Sequence, residues 1–168
     1  MERRGVVSLG IIASSVLLAL FFLSPLINPS GSFYGLDGSP TVIDHGWNGI
    51  RGLGYTIGDI LCHQELDRCF IYNGNQMPIC IRDTGLLTGL ICGLMMCLMI
   101  GHRVSDRRSL FIGLVMVAVT GVEWVLEIHY GDIPGFRFSS GIVSGIGAAF
   151  VLCWVLYRDQ EETGRQYA

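Results

Sequence analysis

Four stretches of the chain are apolar over close to the ~20 residues that a helix needs to cross a bilayer: residues 5–27, 84–100, 110–128 and 138–157. Their apolar positions run on without a break. The alternation of period two that a barrel strand needs is missing, so each stretch predicts a helix. The pattern therefore predicts an all-α membrane protein, a four-transmembrane-helix bundle forming a single integral membrane domain over residues 1–168. Pro25, Asn28 and Pro29 mark the end of the first span. Arg3 and Arg4 precede it as they would a secretory leader, but its apolar core exceeds the typical length of about 7–15 residues and no A-x-A-like site follows. A retained anchor is the expectation.

Between the first two spans lies a long loop, residues 28–83. Residues 28–40 are rich in Gly, Ser, Pro and Asn and predict an irregular connection. Over residues 47–61 the pattern turns amphipathic. Ile50, Leu53, Gly54, Ile57, Ile60 and Leu61 recur at helical spacing, which predicts a short interfacial helix or half-helix. The glycines at 49, 52, 54 and 58 imitate a nucleotide-binding fingerprint, but no strand precedes them. Further on, Asn73-Gly74 is a strong turn pair and predicts a hairpin over residues 68–81. Asp83 and Thr84 are good N-cap types for the second span.

Composition agrees with the pattern. Apolar residues make up 51% of the chain and charged residues 15%, against about 25% charged in soluble domains. The net charge is −3 and no basic patch is present, which excludes a nucleic-acid binder. All eleven basic residues are Arg, so lysine Schiff-base and Walker-type chemistry are excluded too. Arginine placement predicts the topology. Arg3, Arg4, Arg103, Arg107, Arg108, Arg158 and Arg165 would share one side, and Arg51, Arg68, Arg82 and Arg137 the other. By the positive-inside rule both termini are cytoplasmic and loop 28–83 is outside, which predicts a multi-pass plasma-membrane protein. Small residues at spacing four, Gly85, Gly89 and Gly93 on span two and Gly141 and Gly145 on span four, suit close helix contact. They serve either packing within the bundle or a homo-oligomer seam.

This topology brings chemistry-bearing residues to one membrane level. Cys80, Arg82 and Asp83 stand at the outer start of span two, Glu123, Glu127 and His129 toward the outer end of span three, and Arg137 at the outer start of span four. Glu123 lies six residues before His129, or ~9 Å deeper at about 1.5 Å per residue. A carboxylate at that depth needs a partner or a wet cavity. Arg82 and Arg137 are the expected counterions of Glu123 and Glu127, which share a helix face. The cluster is either a structural ion-pair network or a substrate or ion site, with Cys80, Arg82, Glu123, Glu127 and Arg137 as candidate catalytic residues. Cys62, His63, Cys80 and Asp83 are all acceptable zinc ligand types. The outer cysteines Cys62, Cys69 and Cys80 also allow a disulfide that leaves one thiol over. Cys92, Cys97 and Cys153 lie inside spans and read as packing residues, while His45, His102 and the acidic tail at 159–162 read as surface groups.

Cys62-His63-Gln64, then Arg68, then the run from Gly74 through Asn75-Gln76-Met77-Pro78-Ile79-Cys80-Ile81-Arg82-Asp83-Thr84 to Gly85 resembles the signature of the DUF2085 family. These are small polytopic membrane proteins of archaea and bacteria. The stretch from Arg137 through Phe138-Ser139-Ser140-Gly141 to Gly145 is similar to the family's Arg-to-Gly opening of a late span, and the likeness covers roughly residues 55–147. Many members carry a Cys where this chain has Asp83, so their Cys-x-x-Cys is here reduced to Cys80. The resemblance implies a fold and a place to look, and no reaction.

The reading that follows is a polar site facing outward, which binds a small anionic or amphiphilic molecule or a metal such as zinc. Acid–base chemistry on a lipid-linked or quinone-like substrate would suit it. Its rivals are a thiol–disulfide oxidoreductase, which needs a working Cys pair, and a non-enzymatic transporter or accessory subunit.

Overall fold

The computed structural model describes residues 3–36, 40, 43, 49–131 and 134–166, with backbone alone for residues 134 and 159–166. His45, Trp47 and the side chains of the acidic tail lie outside the described residues. Among the described residues, five α-helices and one hairpin follow in the order α1 (Arg3–Ile27), α2 (Leu53–Leu61), β1 (Cys69–Tyr72), β2 (Asn75–Cys80), α3 (Ile81–Ile100), α4 (Arg107–Tyr130) and α5 (Pro134–Gln166), with short 3-10 turns at Leu66–Arg68 and Gly101–Ser105. Helices α1, α4 and parts of the α3 and α5 regions (Ile81–Ser105 and Gly135–Arg158) are long and apolar enough to span a membrane. The four spans therefore stand where the apolar runs placed them, and α2 is the short amphipathic helix of the loop.

Three details differ from the sequence expectation. Helix α3 starts at Ile81, so Asp83 lies within its first turn instead of capping it. Thr84 Oγ1 donates back to Cys80 O at 3.0 Å, as a hydroxyl inside a helix does. Helix α5 continues past residue 157 to Gln166, where the residues are polar and carry no apolar signal.

The fold divides into two compact units, one of Met1–Ser15 with Gly85–Ala168 and one of Val16–Thr84. The first is a helical unit whose buried core comprises Val7, Leu94, Cys97, Val104, Ala149 and Cys153. Glycines set its packing. A Cβ on Gly85 would strike Phe138 O, and one on Gly89 would strike the Ile142 backbone. A Cβ on Gly93 would lie 2.9 Å from Ile146 Cα and 2.6 Å from Ala149 Cβ. Each step is four residues on both helices in the same chain direction, so α3 and α5 run parallel with their backbones in contact. From the α5 side, a Cβ on Gly145 would meet Leu90 N at 2.7 Å. One turn beyond Gly93, the Cys97 and Cys153 thiols hydrogen-bond each other. The small-residue stripes thus serve contacts within one chain.

Helix α4 meets α5 by the same means: Gly113 and Gly147 face each other's carbonyls. Thr120 and Ser144 share a hydroxyl hydrogen bond, and Ser144 Oγ donates to Met116 O at 3.1 Å. Asp106 caps α4 by accepting from Arg108 N, and Gly131 closes it at φ 80°, with its N–H on Glu127 O at 2.9 Å.

The second unit holds the end of α1, α2 and the hairpin. Strands β1 and β2 are antiparallel, with Cys69 opposite Cys80, Ile71 opposite Gln76 and Tyr72 opposite Asn75, and an irregularity between Cys69 and Ile71. Asn73 and Gly74 both have positive φ (53° and 69°), the turn conformation that the Asn-Gly pair predicts.

Candidate functional site

The loop unit is held together by buried amide side chains that stand in for missing secondary structure. Asn75 donates to Pro25 O at 2.9 Å and Pro29 O at 3.0 Å, and its Oδ1 accepts from Phe33 N at 3.0 Å. Gln76 accepts from Leu36 N at 3.1 Å and donates to Gln64 O. Gln64 donates to Pro78 O at 3.0 Å, and Tyr55 OH donates to Gln76 O at 2.9 Å. Phe33 stacks on Tyr55 with centroids 4.1 Å apart. Gly58 completes the seat of α2, because a Cβ there would strike Pro78 O and lie 2.5 Å from Gln64 Nε2. Buried polar groups must be satisfied, and here side chains from distant positions do it.

This frame carries three ligand-type side chains to one point. Cys62 ends α2 in an extended conformation (φ −138°, ψ 150°), its N–H bonded to Gly58 O at 2.8 Å. Cys80 is the last residue of β2, and Asp83 stands three residues on, in the first turn of α3. The Cys62 Sγ, Cys80 Sγ and Asp83 carboxylate oxygen lie within 4.8 Å of one another. Cys80 N donates to Cys62 Sγ at 3.2 Å, Cys80 Sγ donates to Asp83 Oδ2 at 3.2 Å, and Asp83 N donates to Cys80 Sγ at 3.4 Å. Two backbone N–H groups thus aim at sulfur, Cys80 N at Cys62 and Asp83 N at Cys80. The hydrogen-bonded Cys62 thiol, then burial, then the Asp83 carboxylate hold the Cys80 thiol far above its ordinary range. Burial, above all, pushes Cys69 up to about 12, against a hydrogen bond with the Gln76 side chain that lowers it. All six cysteines are free thiols.

His63 is exposed and outside this cluster. The reason is local. Cys62 is extended, so successive side chains alternate in direction; Cys62 and Gln64 turn in, and His63 turns out. Arg82 is half-buried in the first turn of α3. Sequence reasoning missed the inward roles of Gln64, Asn75 and Gln76, and their place in the family signature quoted above is the signal that could have marked them.

The helical unit holds a second group. Arg137, 3% exposed, donates through Nη2 to Glu127 Oε1, whereas the sequence reading favours Arg137 as the partner of Glu123. Glu123, one turn earlier on α4, is 2% exposed. Both acids line a cavity of about 230 Å³ with Leu126, Tyr130, Gly131 and Phe136. His129 is exposed, its Nδ1 3.0 Å from Val125 O.

Comparison with known proteins places this geometry in a family. An uncharacterised protein of Methanocaldococcus jannaschii is 23% identical over 142 residues, covering 82% of this chain and 86% of the relative. An uncharacterised protein of Methanothermobacter thermautotrophicus is 26% identical over 91 residues, covering 53% of this chain and 81% of the relative. No solved structure matches. The family model for the predicted membrane proteins DUF2085 matches residues 62–151, from the first cysteine of the thiol–carboxylate cluster to the interior of α5. The chain is a membrane protein and belongs to the DUF2085 family.

Proposed function

We propose that this membrane protein holds a thiophilic divalent ion of the zinc class in its loop unit, with Cys62 Sγ, Cys80 Sγ and an Asp83 carboxylate oxygen as ligands. One observation carries the reading: three ligand atoms from three separate places in the fold lie within 4.8 Å of one another. Tetrahedral zinc takes sulfur at about 2.3 Å and carboxylate oxygen at about 2.0–2.2 Å, and the cluster needs only a modest contraction to reach that. Two thiolates and a carboxylate select zinc-like ions over magnesium or calcium, which want oxygen alone. The seven-to-four division of arginines supports a plasma-membrane location with cytoplasmic termini, which puts the ion on the outer side. The test is metal analysis of the detergent-purified chain. Close to one equivalent of zinc is expected in the unaltered protein and in Cys92→Ala, and little in Cys62→Ala or Cys80→Ala. Metal content independent of both cysteines would refute the site.

A second reading rests on the cavity of about 230 Å³ beside Glu123 and Glu127. Two acids, with Arg137 on one of them, could bind the polar end of an amphiphile and exchange protons with it. Tyr130 and Phe136 would receive the apolar part.

A further inference from the structure

With three ligands, the ion proposed above would keep an open coordination position, the arrangement of catalytic zinc; with four it would be sealed, as in structural zinc. We propose that Cys69 supplies the fourth ligand, making the site a closed set of three thiolates and one carboxylate. This inference rests on the metal reading above and specifies what kind of metal site it is.

The hairpin register carries the argument. Cys69 opens β1 directly opposite Cys80, which closes β2. Residues opposite each other on an antiparallel pair project to the same face, with Cβ atoms about 4.5–5.5 Å apart. The Cys69 thiol is therefore delivered to the side of the sheet that carries the Cys80 thiol. It is also buried at 7% exposure, so it does not serve solvent. The Cys69 sulfur stands outside the 4.8 Å group. Taking the fourth position would require the Cys69 side chain to turn from Gln76, which it hydrogen-bonds, toward the group. No other cysteine of the loop unit remains to take the place.

Closure changes what the ion does. Ligands from the end of α2, the start of β1, the end of β2 and the first turn of α3 would be tied together at one point. A four-point tie would act as a staple across the loop unit, joining segments that otherwise meet through side-chain hydrogen bonds and apolar contacts. The ion would then shape this face of the protein, and it would offer no open position to activate water.

The experiment is a cobalt titration of the full chain in detergent, reduced and stripped with chelator, using Co²⁺ alone as probe. Sulfur-to-cobalt charge transfer reports the number of thiolates, and the visible bands report tetrahedral geometry. Cys69→Ser should lose about a third of the charge-transfer intensity, one thiolate of three, while keeping a tetrahedral spectrum. Its affinity should fall by about tenfold or more. X-ray absorption of the zinc-loaded unaltered chain needs no variant and should count three sulfurs and one light atom. Two sulfurs with two light atoms, or a Cys69→Ser spectrum equal to that of the unaltered chain, would leave the fourth position open and overturn the inference while leaving the metal site standing. An unaltered chain that takes up no cobalt would remove the metal reading itself, and this inference with it.

Discussion

Gly89 in α3 and Gln76 in β2 are both buried, and they serve the backbone in opposite ways. Gly89 acts by lacking a side chain, so that the Ile142 backbone of α5 can come within contact distance. Gln76 acts through its side chain, which bonds a backbone group of Leu36 and one of Gln64. In the helical unit the peptide groups are already satisfied within each helix, so what remains to be gained is close contact between surfaces. In the loop unit the backbone is irregular, and every buried amide and carbonyl needs a partner from elsewhere. At these two positions the first unit is thus sensitive to added atoms and the second to removed ones.

That contrast can be broken by substitution. The largest effect is expected from Gly89→Leu, which places a branched side chain where a single Cβ already collides with backbone. The loss should exceed the ~1–3 kcal/mol of ordinary overpacking and leave no monodisperse folded protein in detergent. Gly121, whose Cβ would meet nothing within 4 Å, is the control, and Gly121→Ala should be neutral. A well-folded Gly89→Leu protein would mean that the α3–α5 contact is not what holds the unit.

Next in size is the buried ion pair. Arg137→Gln strands the Glu127 carboxylate and should cost about 3–5 kcal/mol, read as thermal stability in detergent. The double change Glu127→Gln with Arg137→Gln should recover much of that loss. Simple addition of the two single losses would show that the pair contributes no coupling. Recovery of stability with loss of a co-purifying amphiphile would favour the second functional reading, and recovery with no such loss a structural pair.

The smallest effect is expected in the loop unit. Asn75→Ala removes the partners of Phe33 N, Pro25 O and Pro29 O, at about 1–3 kcal/mol for a buried group left without a partner. Its signature should be local: faster amide exchange over residues 28–36, with the helical unit's melting little changed. A uniform loss of protection across both units would show that the loop unit is not a separate cooperative region.

The spans were legible because a bilayer demands long apolar runs, and the hairpin because Asn73-Gly74 supplies the positive φ values that a tight turn needs. The stop of α5 was not legible, since beyond residue 157 the helix has no apolar face to announce it. Cys62, Cys80 and Asp83 stood out as ligand types, but sequence adjacency grouped His63 with them, and backbone alternation turns it outward. Gln64, Asn75 and Gln76 look like surface residues in any composition count. Their burial depends on carbonyls 12 to 50 positions away, which no local pattern records.

The glycine contacts of α3 and α5 also limit how the helical unit can move. Gly85, Gly89 and Gly93 fit α5 at steps of four residues, like teeth in a rack. Turning α3 about its axis by one residue, about 100°, would bring Leu86, Leu90 and Leu94 against backbone that accommodates only a hydrogen atom. Relative motion of packed helices is one way for proteins to change state, and the close backbone contact of this pair opposes rotation of one helix against the other. Whatever conformational cycle the protein has, α3 and α5 travel through it as one plank.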